Sequence, residues 1–338
     1  MSRSFTEKDH QHAAHCESGV ASTLLRFAGL EISEPMAFGL SASMAFAYLP
    51  FVKVSGMPLI GYRMPPRHIL KGLAKAIGIK YTIERFSSAS KGMAKLDKLL
   101  EQGQLVGLQT SVYWLPYIPE DMRFHFNAHN LIAYAKTEQG YLISDPVFEQ
   151  PVICDPASLQ RARFAKGALA AKGALYQFQQ VPTEFDLETA VFKSLKKTVK
   201  TMQGIPGVPF IGIKGINFLA KKIAKLKPEQ TKYNQLYLSH IVRMQEEIGT
   251  GGAGFRFMYA SFLDEAAQKL NHSGLAKAAE QMTDCGDLWR DFATNVVRFC
   301  KGRGNMTLEQ ISHSLQQCAE AESKVMQLLN SQQPNNKS

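Results

Sequence analysis

Three side chains in this chain of 338 residues have the types that a cysteine nucleophile needs. Cys16 precedes the stretch "ESGVASTLLRFAG", His129 begins "HNLIAYAK", and Asp145 ends "YLISD". In cysteine catalysis a thiolate attacks an acyl carbon, an imidazole carries the proton, and a carboxylate orients the imidazole. We therefore expect the fold to bring Cys16, His129 and Asp145 together.

The segment after Cys16 predicts a helix that starts at the cysteine. Val20, Leu24 and Phe27 recur near helical spacing, and Gly29 suits the end of the helix. The start of a helix carries about half a unit of positive charge and several unpaired N–H groups. Both stabilise a thiolate, and the N–H groups can also hold the oxyanion of a tetrahedral intermediate. A buried structural cysteine is the alternative for Cys16 taken alone.

The stretch "HNLIAYAKTEQGYLISDP" predicts a β-hairpin with its turn between about residues 137 and 139. Directly opposed residues on paired strands have Cβ atoms about 5 Å apart, so His129 and Asp145 should meet at the open end of the hairpin. His125 is a rival base, but the uninterrupted strand pattern starts at His129. A surface hairpin whose Asp-Pro sequence merely ends a strand is the alternative.

The order of a cysteine on a helix, then a histidine and an aspartate on later strands, is that of papain-type enzymes. Those enzymes often place an oxyanion-hole glutamine before the cysteine, which makes Gln11, together with Cys16, the candidate oxyanion site. A surface glutamine explains Gln11 equally well. His10, His12 and His15 could bind a metal, but no carboxylate stands at a useful spacing, and we predict no metal site.

The composition is that of a soluble globular protein, with 45% hydrophobic and 20% charged residues. The first fifteen residues contain no apolar block typical of a secretory signal, and no stretch approaches the roughly 18 apolar residues of a membrane-spanning helix. The five cysteines are scattered without a CxxC pair, which argues against a disulfide framework and a zinc ribbon. These features favour a reducing cytoplasm.

The net charge of +10 favours an acidic partner. The positive charge is concentrated in ten lysines that follow Phe192, against the single acidic residue Glu229: Lys193, Lys196, Lys197, Lys200, Lys214, Lys221, Lys222, Lys225, Lys227 and Lys232. A solvated helix face is the plainest explanation. The run contains no recognisable nucleic-acid-reading motif, so we expect an acidic carrier protein or an anionic membrane surface rather than nucleic acid.

The secondary-structure pattern divides the chain in two. Helix-like and strand-like segments alternate up to about residue 182, and the segments from Pro182 onward have helical patterns. We predict an α+β fold with one domain at 1–182, a largely α-helical domain at 183–330, and a disordered tail at 331–338.

Several segments resemble the butirosin biosynthesis protein H family. The matches to its N-terminal domain are "HCESG", "LLRFAGLEISEPMAFGL", "VYWLPY" and "HNLIAYA" with the later "DP". The segment "EEIGTGGAGFRFMYASFLDEAA" resembles the helical domain that often follows. The resemblance implies a papain-like cysteine acyltransferase or peptidase core. In the family's namesake, an acyl group moves from the phosphopantetheine thioester of an acyl carrier protein to an amine.

By this resemblance, Cys16 accepts the acyl group, His129 is the base and Asp145 orients it. We expect a cytoplasmic biosynthetic acyltransferase, in contact at most with the inner face of the membrane. The acceptor would be an amine or hydroxyl of a small molecule or lipid, and the 4′-phosphopantetheine arm would arrive with the carrier, with no bound cofactor. A thioesterase or cysteine peptidase that uses water is one alternative, and a non-catalytic binding module is another.

Ser111 and Tyr113, in "TSVYWLPY", are candidates for holding the pantetheine arm. The resemblance leads us to expect an aspartate where this chain has Ser111. If that acid holds a cationic acceptor in relatives, its absence argues against an aminoglycoside-like acceptor.

The glycine-rich "GTGGAG" is a second candidate for the pantetheine arm. The amides of Gly251 and Gly252 and the side chain of Arg256 could bind a phosphate at the start of a helix. The alternative is a break between helices, in which glycines allow close approach. In that case Arg256 could pair with Asp264 or Glu265.

Overall fold

The computed structural model describes residues 4–54, 56–303 and 306–334 of the chain. Its α-helices are α1 (Cys16–Phe27), α2 (Glu34–Leu40), α3 (His68–Ile77), α4 (Ala89–Glu101), α5 (Pro156–Phe164), α6 (Leu187–Gln203), α7 (Gly212–Ala224), α8 (Thr231–Glu246), α9 (Arg256–Leu270), α10 (Ser273–Cys300) and α11 (Leu308–Ser331). Its strands are β1 (Met44–Val54), β2 (Met57–Arg63), β3 (Lys80–Glu84), β4 (Val106–Thr110), β5 (His129–Thr137), β6 (Gly140–Ser144), β7 (Val152–Cys154) and β8 (Leu175–Gln180). The predicted α+β class is confirmed.

The chain folds into two compact units. The first comprises Met1–Ala37 and Leu73–Phe185, and the second comprises Phe38–Gly72 and Asp186–Ser338. The sequence predicted two consecutive domains with a boundary after residue 182. The structure differs from that division at Phe38–Gly72, which lies early in the chain but belongs to the unit that holds the helical second half.

The first unit is built on a six-stranded antiparallel sheet with the strand order β3-β8-β4-β5-β6-β7. Helices α4 and α5 contribute Leu96 and Leu159 to a core with Leu108 and Leu131 of the sheet. Helix α1 packs against β5. All of β4 and the first five residues of β5 are buried, as expected of strands that are covered on both faces. Strand β5 therefore lies near the centre of the sheet and packs against α1.

The second unit combines helices α6 to α11 with the antiparallel hairpin β1–β2. The hairpin supplies aromatic rings to the helical core, since Phe46 and Tyr62 lie 6.0 and 5.5 Å from the ring of Trp289 in α10. Burial alternates along "MPLIGYR" as in a strand with one face in the core. A division of the chain by sequence order overlooks this segment, because its hydrophobic partners follow more than a hundred residues later.

Arg256 is fully buried at the centre of the second unit. Its Nη2 and Nε lie 2.7 and 2.8 Å from Glu322 Oε1, and its Nη1 donates to Gly254 O at 2.6 Å. The guanidinium also lies over the rings of Trp289 and Tyr62, at 5.0 and 5.7 Å. A buried ion pair is tolerated when hydrogen bonds and aromatic faces replace the lost water. This arrangement makes Arg256 a core residue.

The "GTGGAG" segment connects α8 to α9 and brings the backbone close to the hairpin. Gly254 has a φ of +56°, and a Cβ at this position would overlap the ring of Tyr62. Only glycine therefore fits without displacing the ring. The structure matches the alternative in which this segment is a break between two helices.

Helix α11 ends at Ser331, which is the first residue of the predicted disordered tail. Residues 335–338 of that tail lie outside the described residues. Within the described parts of the chain, no helix is both long enough and apolar enough to cross a membrane.

Removing the Glu322 carboxylate should strongly destabilise the second unit. The change E322A leaves the Arg256 guanidinium buried without its counter-charge, which typically costs about 3–5 kcal/mol. The matched control is E247A, because Glu247 pairs with Arg243 at 3.8 Å on an exposed surface, where an i,i+4 pair contributes about 0.3–0.5 kcal/mol. Urea unfolding followed by circular dichroism measures both variants. Equally small effects would contradict the role of the buried pair.

Candidate active site

Helix α1 begins at Cys16 because the preceding residues satisfy its first turn. His15 is the N-cap, and its Nδ1 accepts a hydrogen bond from Ser18 N–H at 3.3 Å. The carboxylate of Glu34 accepts from the N–H groups of Ala14 and His15 at 2.9 and 2.8 Å. Together these contacts fix the backbone on the N-terminal side of the cysteine. The predicted helix start at Cys16 is confirmed.

The segment before α1 is also tied to the residue that follows Asp145. Ala13 N–H donates to Pro146 O at 2.6 Å. Gly19 permits this approach, since a Cβ there would lie 2.6 Å from the Cβ of Ala13 and 2.8 Å from that of Pro146. Main-chain contacts therefore set the position of Asp145 relative to the start of α1.

Strands β5 and β6 form the predicted hairpin. Thr137 pairs with Gly140 across a two-residue turn, and a bulge follows in the middle of β5. Beyond the bulge, Ile132 pairs with Ser144. Asp145 thus comes directly after the last paired residue, at the end of the hairpin where β5 begins.

His129 and Asp145 form a buried ion pair, with Nε2 of the ring 2.7 Å from Oδ2 of the carboxylate. Two further groups hold the carboxylate: Tyr117 OH donates to Oδ2 at 2.9 Å, and Val147 N–H donates to Oδ1 at 3.3 Å. Burial and the neighbouring Asp145 raise the pKa of Tyr117 well above its ordinary value, so the phenol stays a donor. The carboxylate is fixed from three directions and in turn fixes the imidazole ring.

Nε2 of the His129 ring faces Asp145. Nδ1 is therefore the ring nitrogen that can contact Cys16. The Cys16 thiol interacts with the ring through a side-chain hydrogen bond and through charge. Burial lowers the pKa of His129, but the Asp145 carboxylate and Cys16 outweigh burial and raise it to about 10. The ring is therefore charged at neutral pH and can supply a proton.

The other cysteines have the features of structural thiols. Burial raises the pKa of Cys154 to about 12, and burial also raises the pKa of Cys285 and of Cys318 above the ordinary value. Cys300 is half-buried, and burial raises its pKa as well. Cys16 differs from them because a side-chain amide lies beside its sulfur and its thiol interacts with the His129 ring.

That amide belongs to Asn130, which the sequence analysis did not identify as a site residue. Its Nδ2 lies 4.0 Å from Cys16 Sγ and donates to Ala128 O at 3.0 Å, and its Oδ1 accepts from Tyr176 OH at 3.1 Å. Neighbouring residues of a strand point to opposite faces, so the strand pattern gave no signal that Asn130 shares a site with His129. Both side chains reach Cys16 because α1 packs against β5 where this strand begins.

The other sequence candidates of the first unit lie in different surroundings. Gln11 is exposed, in the segment before α1. Ser111 is fully buried directly after β4, and Tyr113 is exposed and stacks on His125 with ring centroids 4.1 Å apart. His125 therefore packs on an aromatic ring, while His129 holds the carboxylate. Contacts of Ser111 and Tyr113 with a pantetheine arm, and of Gln11 with an oxyanion, stay predictions.

Two early histidines serve the local structure. His15 caps α1, and the ring nitrogens of His10 lie 2.8 Å from Ser144 Oγ and 2.9 Å from Phe148 O. Within the described residues there is no group of three or more histidine, cysteine or acidic side chains arranged to hold a metal ion.

Arg256 is engaged by Glu322, not by Asp264 or Glu265 as the sequence suggested. Because Glu322 and the ring of Trp289 occupy its guanidinium, we do not assign Arg256 to a phosphate site.

The amides of the glycine-rich segment also have partners within the protein. Gly252 N–H donates to Thr250 Oγ1 at 3.1 Å, and the Glu246 carboxylate accepts from Ala253 N–H at 3.1 and 3.2 Å. The Glu246 carboxylate therefore already binds a backbone amide of this segment. A phosphate contact of Gly251 or Gly252 stays a sequence prediction without support from these contacts.

Replacing Asp145 by asparagine should lower the pKa of His129. D145N keeps the shape but removes the charge that holds this pKa near 10, so burial dominates and the ring loses its proton at a lower pH. Carbon-13 NMR of the labelled ring measures the titration. His240, whose pKa burial lowers, belongs to the second unit and provides the internal reference. An unchanged His129 titration in D145N would show that Asp145 does not govern the ring.

Each half of the chain matches a known protein family. Residues 15–146 match the family described as butirosin biosynthesis protein H, N-terminal, and residues 157–329 match the domain of unknown function DUF4872. No curated protein matches the chain. Among solved structures, the chain is similar to a C39-like peptidase from Bacillus anthracis, at 15% identity over 53% of this chain and 95% of the other, with a TM-score of 0.34. The chain belongs to the DUF4872 family, whose model covers half of it, and its N-terminal part matches the family described as butirosin biosynthesis protein H, N-terminal.

Proposed function

We propose that the protein is an acyltransferase that works through an acyl-Cys16 intermediate. One observation carries the proposal: the Cys16 thiol interacts with an imidazole that the buried Asp145 carboxylate orients at 2.7 Å. Family membership supports a biosynthetic role, because the relative that gives the N-terminal domain its name is a butirosin biosynthesis protein.

The site suits the two half-reactions of acyl transfer. The Cys16 thiolate attacks the carbonyl carbon of a thioester, an S–C bond forms, and the carbonyl π electrons move onto oxygen. When the carbonyl re-forms, the bond to the donor sulfur breaks and the His129 imidazolium supplies a proton to the departing thiol. An amine or hydroxyl then attacks the acyl group and gives its proton to the neutral imidazole. The Cys16 sulfur departs as a thiolate, which restores the starting pair.

A 4′-phosphopantetheine thioester of an acyl carrier protein is the donor that we propose. A thioester already has a good leaving group, so the enzyme has mainly to position it and to exclude water. Cys16 and His129 are 7% and 5% exposed, which supports such exclusion. The acceptor would be an amine or hydroxyl of a small molecule or lipid.

The lysines of the second unit provide a surface of the charge that an acidic carrier protein needs. All ten lysines identified in the sequence are exposed. On α6, Lys193, Lys197 and Lys200 share one face because they follow the helical spacing i, i+4 and i+7. On α7, Lys214 and Lys221 share a face in the same way. We propose that these faces attract the carrier.

Incubation with an acyl-loaded carrier protein should add the mass of the acyl group to Cys16. The variant C16A should take up no acyl group, whereas C300A should behave as the wild type because Cys300 lies outside the site. Intact-protein and peptide mass spectrometry measure the adduct. Free acid released without an acceptor would identify a hydrolase instead. The absence of an adduct across varied acyl chains would contradict the acyltransferase.

Reversing charge on α6 should weaken the use of the carrier-bound donor. We expect K193E/K197E/K200E to raise the KM for the loaded carrier by about ten-fold or more at low salt, because electrostatic attraction is lost. The KM for a small N-acetylcysteamine thioester should stay the same. The control is K91E/K98E on α4 of the first unit, which changes the net charge in the same direction, by two substitutions instead of three. Equal effects of the two variants would argue against docking on α6.

A further inference from the structure

Asn130 presents its amide to the reactive sulfur from within the sheet. It is 4% exposed, and its Nδ2 lies 4.0 Å from Cys16 Sγ. At that separation, an oxygen on a carbon bound to Sγ can lie beside the line between the two atoms and accept a hydrogen bond from Nδ2. Gln11, the sequence candidate for this role, is exposed.

Tyr176 determines which end of the Asn130 amide faces the sulfur. Its hydroxyl lies 3.1 Å from Asn130 Oδ1. Burial, together with the charges of Glu17 and Cys16, raises the pKa of Tyr176 well above its ordinary value, so the phenol keeps its proton and donates to Oδ1. An amide whose oxygen accepts from the phenol must turn its NH₂ group toward Cys16.

Gly107 makes this contact between strands possible. Tyr176 on β8 pairs with Gly107 on β4, and Asn130 lies on β5, beyond β4 in the sheet. A Cβ at Gly107 would overlap the ring of Tyr176. The glycine therefore leaves a gap through which the phenol reaches across one strand to Asn130.

We infer that Asn130 donates a hydrogen bond to the oxyanion formed on attack by Cys16, and that Tyr176 and Gly107 are positioning residues for this donor. This inference rests on the proposed function, because it concerns the same acyl transfer. In the attack, the carbonyl π electrons move to the oxygen, and Nδ2–H of Asn130 stabilises that charge without giving up its proton. Such a donor acts on the tetrahedral intermediate more than on the resting thiolate.

The test compares two reactions of the same sulfur. Alkylation of Cys16 by iodoacetamide forms no oxyanion, whereas acylation by the loaded carrier or by a p-nitrophenyl ester does. N130A should slow acylation by about 10²- to 10³-fold, the usual effect of losing one oxyanion donor. It should leave the alkylation rate within about two-fold of the wild type, since alkylation depends on the thiolate alone.

Two further variants separate the donor from its support. Y176F removes the hydroxyl that orients the amide, and we expect a smaller loss of acylation of about ten-fold, with alkylation unchanged. The matched control is Y141F, because Tyr141 is also buried in the first unit but its hydroxyl donates to Asp97 at 2.6 Å.

The double variant N130L/Y176F replaces both partners by apolar groups of similar shape, which can be nearly neutral for folding. This double variant should be acylated as slowly as N130A.

Each outcome decides between the inference and the proposed function. If the wild type is acylated and N130A is acylated at the same rate, the inference is wrong and the acyltransferase stands. If N130A loses alkylation and acylation rate to the same extent, the inference is also overturned, because Asn130 would then only hold the thiol in place. Acylation by the ester but not by the carrier would refute the proposed donor and leave the Asn130 comparison valid. Acylation by neither donor would refute both.

Discussion

The ion pair between His129 and Asp145 is the interaction on which the candidate active site depends. Taking both groups out of water is unfavourable unless each is paired and hydrogen-bonded, and Asp145 receives hydrogen bonds from Tyr117 and Val147 as well as from the imidazole. The carboxylate keeps the ring charged and turns its second nitrogen toward Cys16. Without it, burial would leave a neutral imidazole with no fixed orientation.

The main chain, more than flexible side chains, sets the distances within this site. The hairpin turn and bulge place Asp145 at the start of β5, and the bond between Ala13 N–H and Pro146 O connects that point to the segment before α1. Gly19 and Gly107 allow two close approaches that a side chain would prevent. A candidate active site built on such a framework holds its groups in a fixed geometry.

The buried ion pairs of the two units have different roles. In the second unit, Arg256 and Glu322 are surrounded by aromatic rings and backbone groups, so the pair serves packing. In the first unit, the pair of His129 with Asp145 leaves the second ring nitrogen of His129 free to face the Cys16 sulfur. An arginine at the start of a helix therefore has a structural role here, although the same residue type at such a place is a common phosphate ligand.

Local sequence determined the helix that starts at Cys16, the β5–β6 hairpin and the residue types of the candidate active site, because helical spacing, strand alternation and turn residues act over short distances. It also identified the family, through "HCESG" and "GTGGAG". Only the tertiary structure decided the partner of Arg256, the place of Phe38–Gly72 among the helices, and the contact of Asn130 with Cys16. Each of these joins residues far apart in the chain, and one-dimensional periodicity carries no information about which distant side chains share a space.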